Sequence, residues 1–112
     1  MKKIAIIIAS QGFQDTEFEI PYNYFMKKNA IVDVFSTQKG NARGSLGKLI
    51  FVDKVLNELD VDKYDALVYI GGAGTPYLRK NSYSQSLANL AFKKNKLVAA
   101  ICWSPTILAK AG

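Results

Sequence analysis

The sequence predicts an α/β domain with a mostly parallel sheet, and three observations carry that prediction. Residues 4–9, 64–70 and 97–101 are short apolar runs of the kind expected of strands buried on both sheet faces. Two of the segments between them show helical spacing, an alternation that requires parallel strands joined by right-handed crossovers. Two of the runs end in residues that leave a strand abruptly, Gly71-Gly72-Ala73-Gly74 after the second and Cys102-Trp103-Ser104-Pro105 after the third.

Residues 4–9 are expected to form the first strand, with Ser10-Gln11-Gly12-Phe13-Gln14-Asp15 as the loop at its carboxyl end. The first helix is expected from about 16 to 28. Asp15 or Thr16 can cap it, and Phe18, Pro21, Tyr22, Phe25 and Met26 recur at helical spacing as its buried face. Pro21 lies inside that span, so a kink or local break is expected there. Asn29-Ala30 turns the chain, and residues 31–36 alternate apolar and polar as the second strand.

Residues 39–47 hold three glycines and few apolar side chains and read as a loop. Leu49-Ile50-Phe51-Val52 reads as a short antiparallel edge strand, and residues 55–59 as a brief apolar return to the core. Residues 64–70 form a central strand. The glycine run that ends it lets a ligand approach the backbone closely, because no Cβ intervenes. Asn81 or Ser82 starts a helix through about Lys94, with Leu87, Leu90, Ala91 and Phe92 inward. The strand 97–101 and a helix over 106–111 follow. This order predicts a flavodoxin-like or Rossmann-like three-layer sandwich. The glycine run lacks the Gly-x-Gly-x-x-Gly spacing and no acidic residue closes a following strand suitably, so no nucleotide cofactor is expected.

At 112 residues and 49% hydrophobic content the chain can form one domain, residues 1–112, with its own core. A single cysteine excludes an intramolecular disulfide and a cysteine-rich metal site, and it fits a reducing compartment, here expected to be the cytoplasm. The start Met1-Lys2-Lys3 followed by an apolar run superficially resembles a signal peptide. The run is too short for an ordinary one and enters a glycine loop and helix, as a first α/β strand does. No stretch is long enough to cross a membrane. The net charge of +6 is diffuse: Lys27-Lys28 and Lys93-Lys94-Lys96 close predicted helices, where cations complement the dipole, and no aromatic residues interleave with them. Neither nucleic acid nor membrane is an expected partner.

Cys102 is the candidate reactive group. It follows a buried strand and precedes Ser104-Pro105, a helix start in which serine caps and proline fills a position that needs no N–H. Such a strand-to-helix turn points free N–H groups at the sulfur and favours the thiolate. It is the geometry of a nucleophile elbow, in which the amide of the next residue, Trp103, serves an oxyanion. The plainer reading of a single cysteine is a small buried hydrophobe. Glu17, on the first turn of the first helix, should reach the same carboxyl edge. A carboxyl there can donate to a thiolate, accept a substrate proton or hydrogen-bond a sulfinate. Its plainer reading is a first-turn glutamate that complements the helix dipole.

Gly12-Phe13-Gln14-Asp15-Thr16-Glu17 with Pro21-Tyr22, Asp65-Ala66-Leu67-Val68 with Gly71-Gly72, and Ala99-Ala100-Ile101-Cys102-x-x-Pro105 together resemble the ThiJ/PfpI superfamily over the whole chain. The group includes archaeal intracellular protease I and the parkinsonism-associated deglycase. The resemblance implies a flavodoxin-like fold, a reactive Cys102 hydrogen-bonded to Glu17, and an oxyanion pocket formed by Gly71, Gly72 and Trp103. Protease-like members place histidine directly after the cysteine and draw an acidic residue from a neighbouring subunit at the position of Pro76. Here Trp103 follows Cys102 and the chain has no histidine. A Cys-His-acid triad cannot be assembled, and peptidase activity is not expected.

Superfamily domains continue well past the elbow helix, so this chain is expected to lack the C-terminal part of the fold. The sheet and helix faces left bare predict poor solubility or obligate association, and a homo-oligomer is expected. The enzymatic reading is a glyoxalase-like or deglycase-like attack of Cys102 on a small carbonyl substrate, with neither cofactor nor metal, in stress protection. The alternatives are a redox-sensing or chaperone-like protein in which Cys102 oxidises to a sulfinate held by Glu17, and a flavodoxin-like binding domain with an inert thiol.

Overall fold

β1 (Lys3–Ile7) lies at the centre of the molecule, because each of its faces carries apolar residues and both of its edges are paired. The computed structural model describes residues 2–72 and 80–100. Ala73, Gly74, Pro76, Cys102, Trp103 and the helix expected over 106–111 lie outside the described residues. One neighbour of β1 is β3 (Ile31–Ser36), parallel, with Ile4 opposite Val32. The other is β7 (Ala66–Tyr69), also parallel, with Ile4 opposite Ala66. β8 (Leu97–Ala100) pairs in parallel with the outer side of β7, and the two-residue β6 (Lys54–Val55) with the outer side of β3. The sheet order is therefore β6-β3-β1-β7-β8, with parallel pairing throughout.

Alternation along the strands divides the core in two. Ile4, Ile6, Ile8, Ala66, Val68 and Ile70 face α1 (Asp15–Lys27), which contributes Phe18 with Tyr22 and Phe25 packed beside it. Ala5, Ile7, Leu67 and Tyr69 face α2 (Ser82–Lys93) and the two short 3₁₀ turns Leu56–Glu58 and Val61–Lys63. These are the three layers expected. No helix among the described residues is long and apolar enough to cross a membrane.

Several local expectations change. α1 runs without a break through Pro21, and Met26 is exposed rather than inward. In α2 the buried stripe is Ser84, Leu87, Ala88 and Ala91, an i, i+3, i+4, i+7 set that turns Leu90 and Phe92 outward; Phe92 is 76% exposed. Residues expected as loops form strands: β2 (Gln11–Phe13) and β4 (Gly40–Gly44) join β5 (Leu49–Val52) in a second sheet of order β2-β4-β5. β5 is antiparallel to β4, as expected of an edge strand, but on this small sheet rather than on the main one.

Candidate active site

In an open parallel sheet, ligands bind where the connections after two neighbouring strands depart in opposite directions, outside the carboxyl ends. Here that point lies between β1 and β7: the chain leaves β1 through α1 toward β3, while β7 and β8 build the other flank. The segment Ser10–Gln14 follows β1 and Gly71-Gly72 follows β7, so these two segments meet at this edge. Their contact is backbone to backbone. The Gln14 N–H donates to the Gly71 carbonyl at 2.8 Å. Gly72 has φ +123°, and a Cβ there would lie 2.6 Å from the Gln14 nitrogen and overlap the Gly12 carbonyl oxygen, so only glycine fits. Among the described residues the Gly72 N–H has no acceptor.

Glu17 sits on the first turn of α1, three residues beyond the N-cap. The cap is Gln14, whose side chain accepts from the Thr16 N–H at 2.8 Å, not Asp15 or Thr16 as expected. Glu17 is half-buried, and its Oε1 is shielded from water with no hydrogen-bond partner among the described residues. An acceptor left unpaired in this way costs about 1–3 kcal/mol, so a group present in the working site is the natural explanation. The Glu17 backbone is also unusual. Its N–H falls in the first turn, where α1 has no preceding carbonyl to accept it, and its carbonyl faces Pro21, which has no N–H to give.

Asp15, expected only as a cap, has a different task. Its carboxylate accepts the Leu46 N–H at 2.9 Å and the Lys48 N–H at 2.8 Å, joining the start of α1 to the turn between β4 and β5. Burial acts to raise its pKa, but those two N–H groups and its own outweigh this, and Lys48 adds attraction; the carboxyl is held below the usual carboxylate value. Gly44 lies against that carboxylate so closely that a Cβ would overlap it. The partners stand more than thirty positions away in the chain, and no local sequence signal marks this arrangement.

Cys102 and Trp103 lie outside the described residues. β8, which precedes them in sequence, aligns Ala100 with Tyr69, so the last described residue of β8 stands at the edge that carries Gly71.

Comparison with known proteins supports the architecture and its lineage. The uncharacterised protein MJ0967 of Methanocaldococcus jannaschii is 40% identical over 111 residues, which cover 98% of this chain and 54% of that protein. Deglycase TK1284 of Thermococcus kodakarensis is 35% identical over 107 residues, covering 96% of this chain and 64% of the relative. The crystal structure of a ThiJ/PfpI domain protein from Brachyspira murdochii superposes with a TM-score of 0.93 at 33% identity, covering 97% of this chain and 63% of that one. The chain thus spans between about half and two thirds of the length of these relatives. The family model described as DJ-1/PfpI matches residues 2–112, and with the fold and the loop junction above it establishes that the chain belongs to the DJ-1/PfpI family.

Proposed function

We propose that this chain acts on small carbonyl compounds, in a glyoxalase-like or deglycase-like protective role, through a thiolate at Cys102 with Glu17 as the proton carrier. The observation that carries this reading is the Oε1 of Glu17 on the first turn of α1, shielded from water and, like the Gly72 N–H, without a hydrogen-bond partner among the described residues. The name of the Thermococcus relative, a deglycase, agrees with it.

With a 2-oxoaldehyde as substrate the chemistry needs no external oxidant or cofactor. The Cys102 thiolate adds to the aldehyde carbon, and the carbonyl electron pair moves to oxygen, where the Gly72 and Trp103 amides stabilise the charge until it takes a proton. Glu17 removes the hydrogen from the former aldehyde carbon and a proton is returned to the neighbouring carbon, giving a thioester of a 2-hydroxy acid. Water cleaves the thioester and frees the thiol. The net reaction adds one water to the substrate. A histidine is not required, in agreement with a chain that has none.

The test is methylglyoxal consumption and lactate formation by the native chain, Cys102→Ser and Glu17→Gln. The reading expects no turnover by Cys102→Ser and a fall in kcat of about 10²–10⁴-fold in Glu17→Gln. Turnover by Cys102→Ser at the native rate overturns it.

A further inference from the structure

Glu17 is held less by its own helix than its position inside α1 suggests. Neither its N–H nor its carbonyl takes a rung of the i to i−4 ladder, because one lies in the first turn and the other faces Pro21. The proline ring also crowds the carbonyl four residues before it, which is that of Glu17. The turn keeps the rung from the Phe18 N–H to the Gln14 carbonyl at 3.0 Å, and further anchors come from outside the helix. One anchor is the contact of Gln14 with Gly71. Another is Asp15, two residues before Glu17, which is 6% exposed and grips two backbone N–H groups of the β4–β5 turn. The same turn is tied to the start of α1 a second time, by the Ser45 N–H donating to the Phe13 carbonyl at 2.8 Å. A first-turn aspartate that served the helix dipole alone would sit in water. This one is walled in by Gly44, where no side chain can be accommodated beside it.

We infer that Asp15 is a positioning residue for Glu17: its clamp on Leu46 and Lys48 makes the β4–β5 turn, beside the α1 ladder, an element that sets where the Glu17 carboxyl lies. The inference rests on the proposed role of Glu17 beside Cys102 and adds a second residue, and a second sheet, to the machinery of that site. Displacing the Asp15 carboxylate lets the first turn of α1 shift, and the effect is read at the thiol rather than at Asp15 itself.

The experiment follows the pH dependence of Cys102 alkylation by iodoacetamide in the native chain, Glu17→Gln, Asp15→Asn, Gly44→Ala and the Asp15→Asn/Glu17→Gln pair. Asp15→Asn keeps side-chain volume and one acceptor oxygen. Gly44→Ala pushes the carboxylate off its donors while leaving Asp15 in the sequence. The inference expects both variants to move the alkylation midpoint in the same direction as Glu17→Gln, by about half a pH unit, or roughly threefold in rate at fixed pH. It also expects Asp15→Asn to add nothing once Glu17 is glutamine. Three results overturn it: a native midpoint in both variants although Glu17→Gln shifts, full additivity in the pair, or loss of the fold in both variants, which assigns Asp15 to stability alone. A native midpoint in Glu17→Gln itself overturns the proposed role of Glu17 and this inference with it, so the two failures are distinct.

Discussion

The clamp at Asp15 predicts a large coupling between two residues that are far apart in the chain, Asp15 and Gly44. Hydrogen bonds to a charged acceptor contribute about 1.5–3 kcal/mol each. Asp15→Ala removes both, at 2.9 and 2.8 Å, and strands two N–H groups of the turn, so its cost is about 3–5 kcal/mol. Gly44→Ala places a methyl 2.6 Å from Asp15 Oδ2 and overlapping the rest of the carboxylate, without the positive φ that strains Gly72. The backbone there accepts an alanine, so the cost comes from expelling the carboxylate and is about 3 kcal/mol, from the same two bonds. The double variant loses those bonds only once. Its cost should therefore match Asp15→Ala alone, a coupling of about 3 kcal/mol where independent sites agree within about 0.5 kcal/mol. Urea unfolding of the four proteins at pH 7, followed by far-ultraviolet circular dichroism, measures each term. Additive costs would refute the reasoning, because Gly44→Ala would then be acting through something other than Asp15.

Four further outcomes follow from the same structure. The depressed Asp15 pKa contributes stability above the unfolded-state value of about 3.9, and that stability is lost as pH falls through the lower folded value; the gap in urea midpoint between the native chain and Asp15→Asn should therefore be full at pH 7 and narrow as the medium is acidified below the unfolded-state value. Gly72→Ala, with φ +123° and the Gln14 nitrogen 2.6 Å from the new Cβ, should cost about 3 kcal/mol or more in the same assay, and a loss below about 1 kcal/mol would mean the two loops separate easily. Pro21→Ala supplies the N–H that the Glu17 carbonyl lacks and should raise Tm by several degrees, the ladder bond outweighing the entropy returned to the unfolded chain; a lower Tm contradicts this. Burial raises the Tyr69 phenol above its ordinary value near 10, and the hydrogen bond it donates to the Ser84 carbonyl is one that only the protonated phenol can make; Tyr64 is raised by burial and by its bond to Asp33. Stability from both is present below about pH 10 and lost as pH rises through the folded values, so absorbance titration should show two phenols that ionise only with alkaline unfolding.

The main sheet was legible because its strands are written in local chemistry. Ile31–Ser36 has the bounds its alternation predicts, and Ala66–Tyr69 and Leu97–Ala100 fall inside apolar runs that only a doubly covered sheet accommodates. The small sheet was not legible. Gly40–Gly44 contains two glycines and an arginine, and it is a strand because it pairs along Leu49–Val52 on one edge and its Arg43 N–H donates to the Ser10 carbonyl on the other. Asp15 failed for the same reason: its residue type fits a cap, and only the fold brings Leu46 and Lys48 to it. Hydrophobicity alone turns Leu90 and Phe92 inward, whereas α2 meets the sheet with small residues, Ser84, Ala88 and Ala91, that allow close approach. At the candidate site, Gly71, Gly72 and Glu17 could be named from sequence, but the water-shielded Oε1 and the close approach of Gly72 to Gly12 could not, since each is a statement about what stands nearby.

The position of β1 has a kinetic consequence. Both of its neighbours arrive from far along the chain, and the Lys3 N–H donates to the Asp65 carboxylate across 62 residues, so its pairings cannot form by local zipping. Folding must close those long loops before the central strand gains either partner, the signature of slow, high-contact-order chains. Once closed, the strand is hard to release, because opening it breaks the ladders to both β3 and β7 at the middle of the sheet. Native-state amide exchange should find the slowest protons on Ile6 and Ile7, tracking global unfolding, while those of the β4–β5 hairpin exchange through smaller, local openings.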